Sequence, residues 1–300
     1  MPTQPTAPTA PTHPAGSPLI SAADLRSRLG SAEALVLLDC RCDLQDTAAG
    51  ERDYLAGHLP GARYADLARD LSRPLSAAGP ADGGRHPLPD RAVLAEQLGL
   101  WGIGPDSLVV AYDAQGGPYA ARAWWLLRWL GHGAVAVLDG GLAAWTAAGG
   151  ALESGPVPAG PGAHPYPVGA AAMPTVTARQ LLSEFGRWAV LDARAPERYS
   201  GAVEPLDSVA GHIPGALNRP FKDNLSATAA FKPPAQLALE FAELLGRHAP
   251  DEVVHQCGSG VTACHNLLAM EAAGLAGSRL YPGSWSEWSA DPARPVARGS

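Results

Sequence analysis

No stretch of this sequence stays apolar for the roughly 18 to 20 residues that a helix needs to cross a bilayer, so a soluble protein with no membrane partner is expected. Positive charge is also short. Lys and Arg number 22 against 29 Asp and Glu, a formal net charge of −7, which argues against a nucleic-acid-binding surface. Cysteine is scarce: four in 300 residues cannot make a disulfide framework, and Cys40-Arg-Cys42 lacks the second ligand pair of a zinc site. A reducing cytoplasm, no metal and no cofactor are the expectations. The first 18 residues are rich in Pro and Thr and lack the apolar core of a signal peptide, and read as a disordered tail.

What the chain does have is 46% apolar residues over 300 positions, enough for two ordinary domains. An internal repeat supports two. Ala34-Leu-Val-Leu-Leu-Asp39 returns as Trp188-Ala-Val-Leu-Asp192, 153 residues on, and Gly57-His-Leu-Pro-Gly-Ala62 returns as Gly211-His-Ile-Pro-Gly-Ala216, 154 on. Leu108–Asp113 matches Glu252–Cys257, and Gly140–Trp145 matches Gly283–Trp288, with offsets of 144 and 143. Four matches in one order mean a tandem duplication. Each unit alternates strands with helices and so predicts an α/β fold, a parallel sheet flanked by helices. The expected domains are 19–149 and 175–300, joined by a Gly/Pro/Ala-rich linker over 150–174. The histidines of the Gly-His-x-Pro-Gly-Ala repeats, His58 and His212, read as backbone-bonding residues at a bend, and the tryptophans as packing residues.

The most informative stretch is Glu252-Val-Val-His-Gln-Cys257-Gly-Ser-Gly-Val-Thr262-Ala-Cys264. An apolar strand gives way to a loop with two glycines, and Thr262 precedes a helix-forming segment. Loop amides and a helix N-terminus can stabilise an anion above Cys257, and the same field favours thiolate over thiol. Cys257 is therefore a candidate nucleophile. A Cys-x5-Arg phosphatase is disfavoured because Ala263 stands where its arginine belongs, and no local signature of the cysteine proteases is present. The bland alternative is an inert core cysteine. In the first unit Asp113 takes the place of Cys257 and cannot act as a thiolate, so only the second unit is expected to be catalytic.

At these residues the chain resembles the rhodanese-like sulfurtransferases in their two-domain form. Cys257-Gly-Ser-Gly-Val-Thr262 is similar to the active-site loop of the 3-mercaptopyruvate sulfurtransferases, whereas thiosulfate sulfurtransferases usually carry two basic residues after the cysteine. Leu191–Arg194, Gly211–Ala216 and Gly283–Trp288 extend the likeness over nearly everything after the tail. The resemblance implies tandem rhodanese-like domains, the first of them inactive. It also implies transfer of sulfane sulfur from a small anionic donor, through a Cys257 persulfide, to cyanide, a small thiol or thioredoxin.

It further implies that Arg194 and Arg198 bind the donor's carboxylate, that Gly258, Gly260, Val261 and Thr262 shape the loop, and that Ser259 acts in a relay with His86 and either Asp66 or Asp70. On the residues alone Arg198 could equally pair with Glu197 or Glu204, His86 could cap the helix near Asp90, and Cys264 belongs to the core. A thiosulfate enzyme of the same fold, and a non-catalytic binding module, are the alternatives.

Overall fold

Each repeat builds its own parallel sheet. The computed structural model describes residues 17–31, 34–158 and 164–299. Residues 1–16 of the expected tail, and 159–163 of the expected linker, lie outside the described residues. In the N-terminal half β1 (Leu19–Ile20), α1 (Ala22–Arg28), β2 (Leu35–Asp39), α2 (Ala49–Ala56), β3 (Arg63–Tyr64), α3 (Arg91–Leu100), β4 (Leu108–Tyr112), α4 (Pro118–Leu130), β5 (Val135–Leu138) and α5 (Gly141–Ala147) follow one another. The C-terminal half runs α6 (Ala178–Ser183), β6 (Ala189–Asp192), α7 (Pro196–Ser200), β7 (Leu217–Asn218), α8 (Pro234–Leu245), β8 (Val253–Gln256), α9 (Ala263–Ala272), β9 (Arg279–Leu280) and α10 (Ser284–Trp288).

The sheet orders are β1-β5-β4-β2-β3 and β7-β6-β8-β9. All strand pairs are parallel, with Asp39 opposite Tyr112 and Asp192 opposite Gln256. The central strands β4 and β8 are buried at every position, as strands covered on both faces must be; β4 is an unbroken apolar run, whereas β8 ends in the buried polar residues His255 and Gln256. Helix starts follow local chemistry. Ser21 accepts the Asp24 N–H at 3.1 Å, and Thr177 with Gln180 forms a capping box. Asp90 caps α3 through the Ala92 N–H, so His86 is free of that duty.

The two halves share a core. Helices α4 and α9 pack against each other between the sheets, and one apolar cluster runs from Trp124 and Leu127 to Leu267 and Met270. Such helices are apolar nearly all round because no face meets water, and α4 is buried at ten of its thirteen positions. From residue 164 the chain still touches the N-terminal half: Tyr166 N–H bonds Ala95 O at 2.9 Å and Gly169 N–H bonds Leu130 O at 3.2 Å, and Met173 is buried.

The duplication is visible in single bonds. His58 Nδ1 lies 2.7 Å from Tyr54 O and His212 Nδ1 lies 2.9 Å from Tyr199 O, each imidazole stacked on that tyrosine. The Nε1–H groups of Trp145 and Trp288 donate to Ala151 O and Pro295 O, both at 2.8 Å.

Candidate active site

Cys257 follows β8 directly and is 2% exposed. Its own N–H donates to Ser284 Oγ at 3.1 Å, while its carbonyl and that of Gly258 accept the Trp285 and Ser286 N–H groups at 2.9 Å. The loop is thus pinned from α10. Among the described residues no protein group accepts from the amides of Gly258 through Thr262, which leaves them for an anion. Gly260 adopts φ 77°, and a side chain there would strike the Pro282 carbonyl, so the tight turn behind the sulfur requires glycine.

Directly above Cys257 is a pocket of about 60 Å³, closed by both halves. Ser259, Val261 and Thr262 line it with Arg198 and Leu206, and Arg85, His86 and Tyr119 complete it from the N-terminal half. It adjoins a cavity of about 280 Å³ that shares Leu44, Leu67, Arg85, His86 and Leu206 with it. The loop around Gly84 can reach the C-terminal half because it has no side chain. Gly84 sits at φ 83° against the Gly283 carbonyl, and the next residue's N–H, that of Arg85, donates to Ser286 Oγ at 3.0 Å.

His86 Nδ1 and Ser259 Oγ are 2.7 Å apart. Burial, with the Arg122 and Arg85 charges adding to it, pushes the imidazole down to about 4, so it is neutral near pH 7 and can accept or return a proton through the serine. Neither proposed acid hydrogen-bonds to it. Asp66 shares the larger cavity with His86 but accepts the Ala68 and Arg69 N–H groups, and Asp70 accepts the Asp66 N–H and pairs with Arg69.

The two expected arginines separate. Arg198 lines the pocket; its Nε and Nη2 bond Glu204, Nη2 reaches Asp207 at 3.3 Å, and Nη1 points toward Gly258. Arg194, expected to bind the donor's carboxylate, is not among the residues lining the pocket. Its side chain is 1% exposed, and its Nε, Nη1 and Nη2 are spent on Asp192, Glu204 and the Gly211 carbonyl. Arg41 in the first unit does the same with Asp39 and the Gly57 carbonyl, at the same 2.6 and 2.7 Å. Arg194 is the repeat's internal strut.

A model of the rhodanese-like domain matches the chain twice, over residues 21–148 and 177–291. The chain belongs to the rhodanese-like family. A relative described as a probable 3-mercaptopyruvate sulfurtransferase of Pseudomonas aeruginosa is 51% identical over 94% of this chain and 98% of its own length. A putative thiosulfate sulfurtransferase of Mycobacterium tuberculosis is 42% identical over 95% and 98%. The crystal structure of SseA from Escherichia coli, titled as a 3-mercaptopyruvate sulfotransferase, superposes with a TM-score of 0.73 at 30% identity, over 90% of this chain and 99% of that one.

Two groups of this rhodanese-like site escaped the sequence reading. Arg85 stands beside His86 in sequence, yet nothing local shows that it crosses to pair with Asp207 and to bring Nη2 to the same side of Gly258 as Arg198. Ser284 aligns with Gly141 of the first unit. That a serine holds φ 52° there, a conformation its counterpart meets with glycine, was the available signal. Among the described residues no group of three or more His, Cys, Asp or Glu could hold a metal, and no helix is long and apolar enough to cross a membrane.

Proposed function

We propose that this chain is a sulfurtransferase that takes the sulfur of 3-mercaptopyruvate onto Cys257 and passes it to a thiophilic acceptor. The observation that carries this reading is the composition of the pocket. Cys257 stands over unengaged loop amides, Arg85 and Arg198 each present a free η nitrogen, and Ser259 is hydrogen-bonded to a neutral His86.

The donor's carboxylate would lie on Arg85 Nη2 and Arg198 Nη1, which stand together on one side of Gly258 and suit a planar fork of oxygens. The Cys257 thiolate attacks the donor sulfur, the S–S bond forms, and the C–S bond breaks with its electron pair going to pyruvate enolate. The thiol proton of the donor ends on the enolate carbon, with Ser259 and His86 as the path. Cys257 persulfide and pyruvate result. Cyanide then takes the outer sulfur as thiocyanate, or a thiol takes it as a persulfide, and the thiolate returns. Loop amides stabilise both anions, and no cofactor is required. Thioredoxin or a small thiol is the proposed acceptor, and free cysteines throughout suit the reducing cytoplasm.

Thiosulfate is the second reading, favoured by two pocket arginines that the loop sequence does not reveal. Their charges are matched by Glu204 and Asp207, which leaves direction rather than excess charge, and a monoanionic carboxylate fits that better than a dianion. Comparing kcat/KM for the two donors, with Cys257→Ser as the control, tests the assignment: mercaptopyruvate is expected to be higher, and a higher value for thiosulfate would overturn it.

A further inference from the structure

Four arginines surround Cys257, and three of them have carboxylates. Arg85 pairs with Asp207, Arg198 with Glu204 and Asp207, and Arg194 with Asp192 and Glu204. The fourth, Arg122 on α4 of the N-terminal half, has none among the described residues, although it is fully buried at 0% exposure. Its guanidinium is held by backbone carbonyls, with the Cys264 thiol beside it. Nη1 donates to Gly260 O at 3.2 Å, Nη2 to His86 O at 3.1 Å, and Nε and Nη2 to Leu71 O at 3.4 and 3.3 Å.

A buried cation without a counter-ion is costly, and arginine does not escape by losing its proton. Two groups that can become anionic act on it, the thiol of Cys264 and that of Cys257. Cys264 is excluded: burial pushes its thiol up to about 12, and its Sγ bonds the Gly260 carbonyl at 3.4 Å. His86, whose carbonyl Arg122 holds, is neutral. Cys257 is left.

We propose that Arg122 is a positioning residue whose fixed charge is balanced by the Cys257 thiolate and persulfide, so that the N-terminal half supplies the electrostatics of a nucleophile it does not contain. The same fork ties the carbonyl of Gly260, behind the sulfur, to the carbonyl of His86, which meets Ser259. One side chain therefore sets both the charge and the register between nucleophile and relay. The inference rests on Cys257 being the nucleophile, and not on which donor is used.

The test is the rate of iodoacetamide alkylation of Cys257 against pH, on the free enzyme, with the modified peptide identified by mass. Arg122→Gln keeps hydrogen-bonding capacity and removes the charge. Alkylation is expected to slow about tenfold at neutral pH and to recover the wild-type rate in alkali, with kcat falling in parallel and the KM for mercaptopyruvate within about twofold. Arg122→Met, which removes charge at similar volume, must show the same displacement and decides the matter if the Gln variant does not fold. Arg122→Lys, which keeps the charge, should restore most of the neutral-pH rate. A folded discharged variant whose profile overlays the wild type would overturn the proposal, as would a Lys variant displaced as far as Gln. If the alkylation result holds while mercaptopyruvate proves a poor donor, the donor assignment alone falls.

Discussion

The loop after β4 and the loop after β8 are two copies of one turn that hold different anions. In the first, the Asp113 carboxylate accepts the N–H groups of Gln115, Gly117, Tyr119 and Ala120 at 2.8 to 3.1 Å. In the second, the amides of Gly258 through Thr262 have no protein acceptor among the described residues, the Cys264 N–H bonds the Val261 carbonyl at 3.0 Å, and Cys257 sits beneath a pocket. The turns are pinned alike, by Leu142 N–H on Asp113 O and Trp285 N–H on Cys257 O, both at 2.9 Å. The cradle is therefore a property of the fold, and the copies differ in what fills it. Asp113 is a permanent plug, whereas the second loop waits for an anion that comes and goes. Nor is the second copy self-sufficient, since Arg85, His86 and Arg122 all reach it from the first.

Substitutions can break or sharpen this contrast. The largest effect is expected from Cys257→Ser, which should cut sulfur transfer by about a thousandfold or more, measured as cyanide-dependent thiocyanate release. Activity retained there would remove the difference between the copies. Next come the twin struts. Arg41→Met and Arg194→Met each leave buried carboxylates unpaired and should each cost about 3 to 5 kcal/mol in denaturant unfolding. Folded Arg194→Met protein that is altered only in KM for mercaptopyruvate would restore Arg194 as a carboxylate anchor. Ser259→Ala breaks the side-chain bond between His86 and the loop that lines the pocket, and should lower kcat for mercaptopyruvate by about 10- to 100-fold while sparing thiosulfate, whose leaving sulfite needs no proton. Equal losses with both donors would count against the relay.

A smaller effect follows from pH. The folded imidazole of His86 titrates near 4, below its ordinary 6.5. The unfolded chain therefore binds the extra proton first, and the stability this group contributes is present above about 6.5 and lost as pH falls toward 4. His86→Gln should flatten that part of the acid limb of stability against pH, and an unchanged limb would show that His86 takes no part in it. The smallest expected effect is none. Asp113→Cys should add no second persulfide, because position 113 is fully buried and Pro118 in the loop that follows has no N–H to offer an anion. A second persulfide in the mass spectrum of the donor-treated variant would show that the first cradle is latent rather than closed.

The sequence shows the duplication, the strands and the Cys257 loop because these are local. Apolar runs, glycine spacing and a 153-residue offset need no tertiary knowledge. Arg194 misleads for the same reason: standing two residues after a strand's terminal aspartate, it looks ready for a ligand, yet Asp192 and the Gly211 carbonyl consume its fork. The match to Arg41 was present in the repeat and was the clue to its structural duty. Arg85 and Arg122 act 173 and 138 residues from the loop they touch, as Arg85 with Gly258 and Arg122 with Gly260 show; the packing of α4 on α9 brings Arg122 there, and the seating of Gly84 against Gly283 brings Arg85. His86 lay between these cases, its residue type legible and its contact with Ser259 visible only in three dimensions.

The most direct test of the account is to treat the wild-type chain with 3-mercaptopyruvate in the absence of acceptor, trap free thiols and persulfides, and map the added sulfur by peptide mass. One sulfur on Cys257, with Cys40, Cys42 and Cys264 unmodified, is the result the account requires. Sulfur on any of those three, or a chain that gains none from mercaptopyruvate while gaining it from thiosulfate, would contradict it.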